Sequence, residues 1–167
     1  MFGFGKNKDN KKDKTDMDKF QADYVHALIY LSYDTQQVNY IIEQYPMIQD
    51  IERIKDNIAE LQRCAVFLFI RMAHGDSDWA RLVNERIDNE SKTWIHYKNY
   101  VDVLEGYLQL PGRTALSDNF VEDVGRVFQK LCGEKAMASC DRLAELGCVV
   151  YKNTYTSCLN WLAKYQI

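Results

Sequence analysis

At 167 residues, 47% apolar and 27% charged, the chain has the length of one domain able to bury roughly two thirds of its unfolded surface. Its formal charge of −3 is uneven: residues 6–19 hold six Lys and four Asp, and residues 20–167 hold fifteen basic and twenty acidic side chains. A mildly acidic body lacks the basic stripe of a nucleic-acid binder, which argues against that class.

From Lys6 to Thr15 the sequence is Lys, Asp and Asn without an apolar anchor, a composition that cannot offset its ordering entropy. Residues 1–15 are expected to form a tail and residues 16–167 a single helical domain. Phe2 and Phe4 ahead of the lysines suit a weak membrane-surface contact. The interleaved aspartates weaken it, and a solubilising tail is the expectation. Lysines with no apolar stretch behind them argue against a secretion signal.

The first periodic segment places Phe20, Tyr24, Ala27, Leu31, Asp34, Val38, Ile41 and Tyr45 at alternating steps of about four and three, the seam of an amphipathic helix. Pro46 ends it. Ile48, Ile51, Ile54, Ile58, Leu61, Ala65, Leu68 and Met72 repeat the pattern in a second helix. Within it Cys64–Ile70 is the longest apolar run, far short of the roughly 18 residues a membrane span needs, and reads as a helix end buried nearly all round. Gly75 supplies a left-handed residue after it, and Asp76 or Ser77 can cap the next helix.

Ala80, Val83, Ile87, Glu90, Trp94, Tyr97, Val101, Leu104 and Leu108 predict one long third helix, broken by the LPGR turn. A fourth begins at Ser117 and runs through Phe120, Val124, Val127 and Leu131. Cys132, Ala136, Cys140, Ala144 and Cys148 then recur every four residues, a small-residue stripe that admits a close neighbouring helix. Gly147 is expected to end or kink that helix, leaving Val149–Gln166 as a shorter one of weak propensity. The fold class expected is all-α: a four-helix up-and-down bundle with a shorter fifth C-terminal helix.

Chemistry has few footholds. The five cysteines are odd in number and form no CxxC pair, so neither a disulfide framework nor a zinc ribbon is indicated, and a reducing, cytoplasmic setting fits. Asp34 and Glu90 take seam positions where an apolar residue is expected. They either share a proton, metal or basic partner inside the bundle, or turn to its edge and pair with Arg or Lys, because an unpaired buried carboxylate is costly. Asp23 and His26 stand three apart on the first helix and, with His96, complete the residues that could hold a metal. No Glu-x-x-His or HExxH accompanies them. His74 sits at a helix C-terminus, where an imidazolium suits the dipole.

No Gly-x-Ser-x-Gly or glycine-rich phosphate loop is present, and no catalytic residue is assigned. The eleven tyrosines are the compositional oddity. Tyr30, Tyr33 and Tyr40 flank the first seam, Tyr97, Tyr100 and Tyr107 mark the third helix, and Tyr155 and Trp161 crowd the last. They either close the edge of the core or offer contact area with a polar tip. The expected function is a non-enzymatic, cytoplasmic protein–protein interaction module, self-associating through these aromatic faces, with no cofactor. The alternative is a metal- or small-ligand-binding bundle using Asp23, His26, Asp34, Glu90 and His96.

Overall fold

A computed structural model describes residues 26, 30, 39–40, 42–46, 51–133 and 140–165. Its helices are α1 (Ile51–His74), α2 (Asp78–Ser91), α3 (Tyr97–Leu108), α4 (Asp118–Cys132) and α5 (Cys140–Tyr165). The chain is all-helical across these elements and packs as a bundle. The tail and most of the expected first helix lie outside the described residues; within it, His26, Tyr30, Asn39, Tyr40, Ile42 and Glu43 are helical.

The central element is α1, which touches each of the other four helices. That placement explains its composition: all residues from Leu61 to Ile70 are buried, as the apolar run leads one to expect. Met72, expected on the same seam, is exposed and borders a shallow cleft with Glu105 and Leu108 of α3. Gly75 follows at φ 58° and its N–H bonds the Arg71 carbonyl, the left-handed stop anticipated there.

Contacts between helices set their directions. Arg63 meets Ser91 at the end of α2, while Phe67 and Arg71 share a cleft with Asn84 and Asp88, so α1 and α2 are antiparallel. Asn57 meets Tyr100 and Arg71 pairs with Glu105, so α3 runs parallel to α1. Phe120 packs edge-on against Tyr151, and Gly125 faces Ala144 and Cys148, so α4 and α5 are antiparallel.

Two partitions differ from the sequence expectation. The third helix is interrupted at Lys92–His96, giving α2 and α3. The last helix, expected to be short, spans 26 residues and passes through Gly147 unbroken. A Cβ on Gly147 would stand 2.6 Å from Phe128 Cβ, and one on Gly125 2.5 Å from Cys148 Sγ. Both glycines let α4 and α5 approach closely, and the burial gained there outweighs the weak propensity of the β-branched segment. Val150 and Thr154 are buried in it, the latter donating from Oγ1 to the Val150 carbonyl at 2.9 Å. The small-residue stripe is split: Gly133, at φ 80°, ends α4 after Cys132, while Ala144 and Cys148 meet Gly125 from α5. Ala136 lies outside the described residues.

Candidate interaction surface

The interruption between α2 and α3 has no glycine or proline. It is made by a ridge of polar side chains on α1, Asn57, Glu60 and Arg63, all buried. Glu60 Oε2 accepts the His96 backbone N–H at 2.6 Å, so a carboxylate from another helix caps the start of α3. Burial raises the Glu60 carboxyl above its usual range, with the His96 N–H pulling the other way. Arg63 donates from Nη1 to Ser91 Oγ at 2.9 Å and stacks 4.2 Å from the centroid of the Trp94 ring. Ser91 in turn donates to the Ile87 carbonyl at 2.6 Å. A charged cap, a stacked guanidinium and a buried serine stabilise the bend better than continuing the helix would.

This clasp fixes the rotation of α3 and hence its outer face. Tyr97, Tyr100, Val101 and Leu104 point inward. At about 100° per residue, Asn99, Val103 and Gly106 form a stripe on the outside, continued by Leu110 in the turn beyond. Val103 is 40% and Leu110 42% exposed. Among the described residues, a Cβ on Gly106 would meet nothing within 4 Å. Nothing within the described residues calls for a glycine there, although it costs about 0.5–1 kcal/mol relative to alanine in a helix. Beside the stripe, α3 and α4 enclose a groove of about 330 Å³ floored by Val103, Tyr107, Val127 and Leu131. Arg126 and Lys130 line its α4 side. The turn leading into α4 is held by Arg113, which donates from Nε to Asp123 Oδ2 at 2.9 Å.

A larger cleft, about 570 Å³, opens where α1 faces the α2–α3 link, beside Asp56, Glu60, Trp94 and His96. Ile95, 79% exposed, stands at its edge. The carboxylate that faces it from Glu60 is engaged in capping α3.

The aromatic residues named from sequence separate into three groups. Tyr97, Tyr100 and Tyr155 are buried and serve the core instead of a surface. The Tyr97 hydroxyl donates to Asp88 at 2.8 Å and the Tyr100 hydroxyl to Asn57 at 3.2 Å, while Tyr155 packs edge-on to Phe69 and burial pushes its hydroxyl up to about 12. Tyr107 and Trp161 are half-buried, with Lys164 Nζ 4.9 Å from the Trp161 ring centroid. Tyr30 and Tyr40 are 60% and 65% exposed, and Tyr33 lies outside the described residues.

Of the possible metal ligands, Asp23 and Asp34 lie outside the described residues and His26 is exposed. Glu90 is turned to the surface, where it accepts from Arg86 Nε at 3.0 Å; Ser91 takes the buried seam position instead. His96 starts α3. Among the described residues no three His, Cys, Asp or Glu side chains are grouped to hold a metal ion. His74 is half-buried against Phe69, and burial lowers its imidazole below the usual value. This disfavours the imidazolium expected at the helix end.

Sequence reasoning missed Val103, Gly106 and Leu110. A glycine in mid-helix on the face away from the seam was the available signal. Among the described residues no helix is long and apolar enough to cross a membrane. No protein-family model, curated protein or solved structure matches the chain.

Proposed function

We propose that the protein is a non-enzymatic interaction module that binds a protein surface, its own included, through the outer face of α3 and the groove between α3 and α4. The observation that carries this reading is the conjunction of exposed Val103 and Leu110 with open space over Gly106. Apolar side chains beside a gap at a helix surface are what a second helix packs against. Among the described tyrosines of the sequence-derived set, Tyr107 borders this groove, and it supplies aromatic area with a polar tip.

A cytoplasmic setting belongs to the same reading. It is supported by Cys64, Cys132, Cys148 and Cys158, all free thiols, which a reducing compartment preserves.

The test combines native mass spectrometry with affinity capture from source extract, using wild type and Val103→Glu. Association, whether self or captured, that disappears with Val103→Glu while helical content stays constant supports the reading. A strictly monomeric wild type that captures nothing would end it.

A further inference from the structure

We infer that the occupant of this face is a second copy of the chain, packed α3 to α3 in parallel about a two-fold axis that runs along the helix. The inference rests on the interaction-module reading and narrows it to one partner.

The charges beside the stripe select that partner. On the helical wheel Asp102 falls on one side of the Asn99–Val103–Gly106 stripe, and the groove with α4 falls on the other. The α4 side carries Arg126 and Lys130. Asn99 and Val103 line the same groove as Arg126 and Lys130, so Asp102, between them in sequence, lies along the stretch of α3 that faces the two cations. A two-fold axis along α3 sets each side of one copy against the opposite side of the other at the same height. Asp102 of each copy then meets Arg126 and Lys130 of its partner, and the pairing is made twice.

The groups involved are available. Asp102 and Lys130 have no ion-pair partner among the described residues, and Arg126 is held only loosely, at 3.6 Å from Glu122 and 3.7 Å from Asp123. Two other charges of α3 lie on the Asp102 side: Glu105 is engaged by Arg71, and Lys98 lies one turn before Asp102, at the start of α3. Gly106 gives the inference its second support, because at the centre of a parallel helix pair a missing side chain lets the two backbones approach, while in the single chain its Cβ would touch none of the described residues. An acidic partner of another kind would satisfy Arg126 and Lys130 but leave Asp102 opposed.

Sedimentation velocity of the full chain at low ionic strength tests this with three variants. Gly106→Arg fills the contact point without a clash in the monomer and is expected to abolish the dimer. Asp102→Lys alone, and Arg126→Glu with Lys130→Glu, are each expected to weaken dimerisation about tenfold or more, since both copies of the pairing turn repulsive. An equimolar mixture of these two variants restores both pairings and is expected to recover the wild-type affinity as a heterodimer, resolved by mass. Circular dichroism verifies that each variant is folded.

A wild-type dimer that survives Gly106→Arg would overturn the α3 contact while leaving self-association standing. Loss with Gly106→Arg but no rescue on mixing would overturn the two-fold arrangement. A wild-type chain that stays monomeric would remove the dimer; if that monomer still captures another protein through Val103, the module reading survives without it.

Discussion

The Glu60 carboxylate caps α3 from a distance of 36 residues along the chain, accepting the His96 N–H at 2.6 Å. The start of α3 is therefore a tertiary feature, and removing the acceptor leaves partly buried N–H groups unsatisfied. Glu60→Ala is expected to cost about 1–3 kcal/mol, read by urea denaturation. Glu60→Gln retains an acceptor. Because the folded carboxyl is raised above its ordinary value of 4.5, the folded state holds a proton there that the unfolded state has released. Stability contributed by this group is complete below that ordinary value and falls as pH rises through the raised one. Between wild type and Glu60→Gln, the slope of the denaturation midpoint against pH in mildly acidic solution should differ, the wild-type slope being the more negative. An unchanged slope in Glu60→Gln would assign the dependence to other groups.

Arg63 is the second member of the clasp, almost fully buried between Ser91 and the Trp94 ring. Arg63→Lys keeps the charge but loses the planar stacking surface and the fork of donors. It is expected to destabilise by about 2–3 kcal/mol and to alter the Trp94 emission in the folded state. A variant within a few tenths of a kcal/mol of wild type would show that the bend does not depend on the guanidinium.

The clasp also shows where sequence periodicity stops being informative. Ile54, Ile58, Leu61, Ala65 and Leu68 are buried as their spacing predicts, and Gly75 and the LPGR turn fall where local chemistry demands a stop. Those features are written into adjacent residues. The bend after Ser91 depends on Glu60 and Arg63, which are distant in sequence, and the continuity of α5 through Gly147 depends on Phe128 across the helix pair. Periodicity also could not decide between Glu90 and Ser91, adjacent residues on which the seam drifts after the second turn of α2. Periodicity likewise did not separate buried Tyr97 and Tyr100 from half-buried Tyr107, so only part of the candidate surface was readable from the tyrosines.

His74 carries a second pH dependence, of opposite sign. Its imidazole is lowered below the ordinary 6.5 by burial, so the unfolded chain binds a proton that the folded one resists. Stability is then retained above 6.5 and lost as pH falls from that value toward the lowered one. Replacing His74 by Phe keeps an aromatic ring against Phe69 and removes the titration. The difference in melting temperature between neutral and mildly acidic solution should be smaller in His74→Phe than in wild type. An equal difference in the two proteins would exclude His74 as its source.

Glycines 106 and 147 make a paired prediction, because the same substitution should act in opposite directions at the two sites. Gly147→Ala places a methyl 2.6 Å from Phe128 Cβ, forcing α4 and α5 apart, and is expected to cost about 1–3 kcal/mol. Gly106→Ala meets nothing within 4 Å and restricts the unfolded chain. It is expected to stabilise the monomer by about 0.5–1 kcal/mol. Urea denaturation of both variants, at concentrations low enough to hold the chain monomeric, reads the two effects without interference from association. Destabilisation by Gly106→Ala under those conditions would mean that another part of the same chain covers α3, and the outer face would then be an intramolecular contact instead of a docking surface.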